Sequence, residues 1–166
     1  AVTLTGDGER AHLRTPTIGL ANHAADVCAL IDCEELDDVL LVGHSYGGMV
    51  ITAATDALLS RRPSTVSGLV YVDAVVPLPG EAWGSLHTPE VQAQRRALAA
   101  QHGNGLPPPD PEAFGLQGAD RDWLLRRSVP HPFAAYDQAL DFDGVRWAAL
   151  PRTYIDCTAP DFAAPH

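Results

Sequence analysis

The sequence predicts an α/β chain built on a parallel sheet, and three stretches carry that reading. "LVYV", Leu69 to Val72, is a continuous apolar run of the kind needed by a parallel strand covered on both faces. Val39 to Val42 reads as a short buried strand, and Met49 to Leu59 follows it as an Ala-rich helix. In "TIGLANHAADVCALIDCEEL" the apolar residues Leu20, Ala24, Val27 and Ile31 recur at the spacing that keeps one helical face against a sheet. Strands that alternate with helices imply parallel neighbours joined by right-handed crossovers.

The remaining elements follow in chain order. Val2 to Thr5 reads as the end of a strand, closed by the turn "GDGER". From Pro77 the composition changes: Pro- and Gly-rich breaks surround a helix from Glu90 to Gln101, and "DRDWLLRR" reads as a further short helix. The strand signal returns in "LPRTYIDCT". The chain thus divides into a core segment, 1–77, an insertion between two sheet strands, 78–148, and a return to the sheet, 149–166. Trp83, Phe114, Trp123 and Phe133 are expected mostly to form the insertion's own small core, with the lining of a substrate cavity as the alternative.

At 166 residues the chain suits one domain with a sizeable core. A formal charge of -10 and a pI near 4.9 disfavour a nucleic-acid surface, which needs a basic face. No stretch has the apolar length to span a bilayer and no leader pattern opens the chain, so it reads as soluble. Every basic residue is Arg, which removes Schiff-base chemistry on a lysine. Cys28 and Cys33 face different sides of a predicted helix and Cys157 stands alone on a predicted strand. No disulfide framework results, and the usage is that of buried thiols in a reducing, cytoplasmic compartment. The seven His are scattered, and neither a metal nor another cofactor is called for.

The chemistry concentrates in "LLVGHSYGGMV", Leu40 to Val50. Ser45 falls on a tight strand-to-helix turn, where a side chain at Gly43 or Gly47 is expected to collide as the helix folds back on the strand. Such a Gly-x-Ser-x-Gly elbow presents a nucleophilic hydroxyl above the sheet's carboxyl ends, and the N–H of Tyr46 can stabilise an oxyanion. A free hydroxyl needs a base. His44 adjoins Ser45, but neighbouring side chains on a turn diverge, so it is expected to pack beside the sheet; it and His12, which follows the first predicted strand, are the candidates for substrate contact. His23 is expected on the polar side of its helix in a structural role. For the acid, Asp73 at the end of the strand after the elbow helix and Asp161 after the last strand compete equally, while Asp156 is expected to point into the strand's neighbours.

"LTGDGERAHL", "NHAADV", "LVGHSYGGMV", "LVYVDAVVPLPG" and "LPRTYIDCT" resemble, in order and spacing, the α/β-hydrolase superfamily, most of all its bacterial branch related to plant methylesterases and hydroxynitrile lyases. The resemblance implies a sheet of the α/β-hydrolase type with a helical cap insertion, and a Ser–His–carboxylate hydrolase acting on small apolar esters. It also implies a strand pair and a His-Gly segment upstream, and a Gly-His element downstream after one more helix and strand. The chain is therefore expected to be an internal piece of a longer hydrolase, its sheet truncated at both ends and silent on its own. His166 is the right residue type after the right strand but lacks those intervening elements. Two other functions stay open: a hydroxynitrile lyase, although the Lys that holds cyanide in the plant lyases has no counterpart here, and a non-catalytic small-ligand-binding member of the fold. The oligomeric state is left undetermined.

Overall fold

A computed structural model of the chain describes residues 1–158, so Asp161 and His166 lie outside the described residues. After a short 3-10 turn, Gly8–Leu13, come helix α1, Leu20–Cys33, strand β1, Val39–Ser45, helix α2, Gly47–Leu59, and strand β2, Val66–Ala74. The connection that follows holds β3, Glu81–Ala82, α3, Pro89–Gln101, β4, Gly105–Leu106, and α4, Gly118–Arg127. It continues through β5, His131–Pro132, α5, Ala134–Asp137, β6, Ala139–Leu140, and α6, Gly144–Ala148, before β7, Arg152–Ile155, re-enters the sheet. The described sheet is parallel with order β1-β2-β7, as expected from the alternation of strand and helix.

The predicted helical face of α1 is the buried one: Leu20, Ala24, Val27 and Ile31 all lie in the core. Its first turn is closed by Asn22, whose side-chain oxygen accepts from the Gly19 N–H at 3.0 Å. Helix α2 is buried on most of its circumference, because the sheet lies on one side and α1 and α6 on the others. Met49, Leu58, Leu69 and Tyr71 are fully enclosed, and each such aliphatic side chain contributes about 1.5–3 kcal/mol by leaving water.

Three expectations are corrected. Val2 to Thr5 pairs with no strand among the described residues. Its polar groups go instead to side chains: Thr5 donates N–H and Oγ1–H to Asp26 at 2.6 and 2.8 Å, and Arg10 donates to the Thr3 carbonyl at 2.9 Å. Val39 to Val42, expected to be a buried strand, is buried on one face only among the described residues, since Leu40 and Val42 are 58% and 60% exposed on the face opposite Leu41, whereas Leu69 to Val72 of β2 are buried or half-buried. Of the cysteines only Cys28 is buried, donating to the Ala54 carbonyl at 3.7 Å; Cys33 and Cys157 are exposed, and Cys157 follows the end of β7.

Two antiparallel pairs, β3 with β6 and β4 with β5, fold residues 78–148 back on themselves. Trp83 and Phe133 join an aromatic cluster around Tyr136, with ring centroids 5.2 and 5.4 Å from it. Phe114 and Trp123 depart from both expectations: each is about half exposed, and the Arg127 guanidinium lies over the Trp123 ring at 4.6 Å. Polar ties seat this segment on the core, among them two from arginines. Arg14 donates to the Pro130 carbonyl at 2.7 Å, and Arg146 donates to Asp56 on α2 at 3.0 Å. Among the described residues no helix is long and apolar enough to cross a membrane.

Candidate active site

Ser45 is the last residue of β1 and has φ of 51°, a left-handed conformation that costs a non-glycine residue energy unless its surroundings enforce it. The enforcement is visible on both sides of the turn. The Val75 N–H donates to the Ser45 carbonyl at 3.0 Å, and the Met49 N–H donates to the Tyr46 carbonyl at 3.0 Å, which closes the first turn of α2. A Cβ at Gly43 would lie 2.5 Å from the Gly47 carbonyl oxygen, and one at Gly48 only 2.0 Å from that of Val75. The expectation for Gly43 therefore stands, while that for Gly47 is corrected: nothing lies within 4 Å of a Cβ there, and Gly48 is the glycine on which the close approach of helix and strand depends.

The resulting turn leaves the Ser45 side exposed at the carboxyl edge of the sheet, with Tyr46 at the N-terminus of α2, where first-turn N–H groups lack intrahelical partners. Asp73 lies close by along the sheet. Ser45 pairs with Ala74 across a register irregularity, and Asp73, half-buried with φ of 43°, is the residue just before that partner.

Two of the histidines, His44 and His23, lie otherwise than expected. His44 is exposed on the same strand face as Val42, pointing away from the side that packs on α2 rather than packing beside the sheet. His12 is exposed on the 3-10 turn, its Nδ1 3.2 Å from the Glu9 carbonyl. His23 does not face the polar side of α1; it is fully buried. Its Nε2 lies 3.0 Å from the Thr5 carbonyl and must carry the proton, because a carbonyl only accepts. Burial holds the ring's pKa below the ordinary imidazole value, so Nδ1 is a lone pair and accepts from the Tyr46 hydroxyl at 2.9 Å. Burial, with the Asp7 charge second, pushes the Tyr46 phenol well above its usual range, so it remains a donor. Among the described residues no hydrogen bond joins the Ser45 hydroxyl to an imidazole. Asp156 is exposed.

Sequence reasoning missed two groups beside the turn. His131 on β5 donates Nδ1–H to Asp7, 3.0 Å from both carboxylate oxygens, and its ring lies 4.8 Å from that of Tyr46 at 67°. The pair spans 124 residues, and no local pattern in the sequence joins its two ends. The second group is a hydrogen-bond string from α6 to the elbow. Trp147 Nε1–H donates to the Tyr71 hydroxyl at 2.9 Å, Tyr71 donates to Thr52 at 2.7 Å, and Thr52 donates to the Gly48 carbonyl at 2.8 Å. Its direction is fixed because an indole N–H can only donate and a carbonyl only accept. Among the described residues no group of His, Cys, Asp and Glu could hold a metal ion.

A parallel sheet carrying a serine on a strained strand-to-helix turn at its carboxyl edge defines the α/β-hydrolase class of fold. Comparison with known proteins gives the same assignment: the Alpha/beta hydrolase family matches over residues 1–166, and the chain belongs to that family. A carbendazim hydrolyzing esterase from Nocardioides sp. (strain SG-4G) is 43% identical over 162 residues, covering 92% of this chain and 65% of that protein. An extracellular α/β-hydrolase from a Paenibacillus species, described as homologous in structure and function to tobacco salicylic acid binding protein 2, superposes with a TM-score of 0.79 at 21% identity, over 93% of this chain and 64% of that one. A methylesterase from Arabidopsis superposes with a TM-score of 0.53 at 19% identity, over 91% of this chain and 62% of that one. The chain thus spans about two thirds of the length of these relatives.

Proposed function

We propose that the protein is a serine carboxylic-ester hydrolase for small apolar esters in which Ser45 attacks the ester carbonyl. The observation that carries this reading is the positive φ of Ser45, held between the backbone approaches at Gly43 and Gly48. A strained turn of this kind stabilises nothing by itself and is explained by the need to present a hydroxyl. The name of the 43% identical esterase supports the reaction class. In the reaction Ser45 Oγ bonds to the carbonyl carbon, its proton passes to a base, and the oxyanion that forms is held by the Tyr46 N–H; collapse expels the alcohol, and water then releases the acid. Asp73 and Asp161 are the candidates for orienting the base, and the position of Asp73 one residue before the strand partner of Ser45 supports the first. Residues 78–148 act in this reading as a cap over that edge, supported by the contacts of Trp83 and His131 with Tyr46.

The test pairs labelling with turnover. A fluorophosphonate probe should modify Ser45 and no other serine, and Ser45→Ala should lower hydrolysis of a short-chain chromogenic ester, and of carbendazim if it is a substrate, by three or more orders of magnitude in the complete protein. Undiminished turnover in Ser45→Ala would refute the assignment.

A further inference from the structure

The residue that follows Ser45 is gripped from two directions. From the core, His23 on α1 accepts the Tyr46 hydroxyl proton at Nδ1 while its Nε2–H is spent on the Thr5 carbonyl. From residues 78–148, His131 sets its ring edge-on against the Tyr46 ring, and Trp83 closes a third side with its centroid 5.2 Å away. Neither imidazole is free to turn. The Thr5 carbonyl fixes the tautomer of His23, and the Asp7 carboxylate fixes the orientation of His131.

We infer that His23 and His131 are positioning residues for the Ser45–Tyr46 turn, holding the Tyr46 side chain and through it the direction of the Tyr46 backbone N–H. The inference rests on the proposed roles of Ser45 and the Tyr46 N–H. A phenol anchored at its hydroxyl and packed on its faces has its χ1 and χ2 fixed, and with them the Cα–Cβ direction of a residue whose amide is one bond from Cα. An oxyanion donor acts only when it is aimed within a few tenths of an ångström of the developing charge, so this precision bears on the transition state and not on ground-state binding. Because one jaw belongs to α1 and the other to the segment seated on Asp7, a shift of residues 78–148 reaches the oxyanion donor without touching Ser45.

The test is steady-state hydrolysis by the complete protein carrying His23→Phe, His131→Leu, His23→Gln or Tyr46→Phe, with Ser45→Ala as reference. His23→Phe and His131→Leu should each lower kcat about 10- to 100-fold with KM within about threefold. His23→Gln should recover most of the rate, because its amide both accepts from Tyr46 and donates to Thr5. Nitrogen-15 spectra should show His23 protonated at Nε2 and bare at Nδ1, with the Nδ1 signal moved by Tyr46→Phe. That variant, which deletes only a hydroxyl, carries the kinetic test should His23→Phe not fold. Full kcat in the His23, His131 and Tyr46 variants beside an inactive Ser45→Ala protein overturns the clamp and leaves the nucleophile standing. Full turnover in Ser45→Ala overturns the nucleophile and the catalytic role of the clamp with it, and a His23 protonated at Nδ1 removes the hydrogen bond on which the clamp is built.

Discussion

At the scale of single residues, two adjacent glycines at the start of α2 do different work. A methyl group at Gly48 would sit 2.0 Å from the Val75 carbonyl oxygen, a backbone atom that cannot swing aside, whereas the space around Gly47 is open to 4 Å. Gly48→Ala should therefore force α2 off the sheet and destabilise the fold by more than about 3 kcal/mol, or prevent folding, as overpacking against backbone does. Gly47→Ala should be neutral or should stabilise by up to about 1 kcal/mol, through better helix propensity and a less flexible unfolded chain. Urea titration of both variants separates these outcomes, and equal midpoints would contradict the steric argument. The pentapeptide pattern around Ser45 marks the first and last glycines of the motif, but which glycine lies against β2 depends on where the chain returns, and that was not legible in the motif.

At the scale of elements, the elbow helix is held by a directed string of hydrogen bonds that begins on α6. Tyr71 stands in its middle, 2% exposed, receiving from Trp147 and donating to Thr52. Tyr71→Phe keeps the ring and its packing but leaves the buried Thr52 hydroxyl without its donor and the Trp147 N–H without an acceptor. The expected loss is about 1–3 kcal/mol, the usual range for orphaning buried polar groups. A double-mutant cycle with Trp147→Phe should show coupling well above zero. Purely additive losses would mean that the two ends of the string act independently. From the sequence, "LVYV" was readable as a strand and its Tyr as one more apolar-compatible side chain; the partner that gives its hydroxyl a purpose is 76 residues away.

At the scale of the whole molecule, a buried histidine is expected to make the fold sensitive to acid. His23 is fully enclosed and kept neutral chiefly by burial, assisted by the neighbouring His131, while the Thr5 carbonyl and the carboxylates of Asp7 and Asp26 pull the other way. Its folded pKa lies below that of the unfolded chain, about 6.5. Above that pH both states are neutral at this site and His23 adds no pH dependence. As the pH falls below about 6.5 the unfolded chain takes up the proton and the folded chain does not, so stability is lost until the lowered folded value is reached. The burial of His87 lowers its pKa too and adds in the same direction. Thermal unfolding measured from pH 7.5 to 4.5 should show this decline, and His23→Gln should flatten part of it; an identical slope in the variant would exclude His23 as a source.

What the sequence determined by itself was the local part. The periodicity of α1, the runs that became β1, β2 and β7, the helices at Pro89–Gln101 and Gly118–Arg127, and the turn that carries Ser45 were all readable, because propensity and apolar spacing are properties of neighbouring residues. The tertiary structure decided everything that depends on distant chain segments meeting. It turned Val2 to Thr5 from a strand into a segment pinned by Asp26, drew His23 into the core against Tyr46, and set His131 on Asp7. It also left Leu40 and Val42 on a sheet face that the described residues do not cover. A side chain's periodic position gives the face it occupies, but its hydrogen-bond partner is chosen by which segments pack together, and that information is spread over the whole chain.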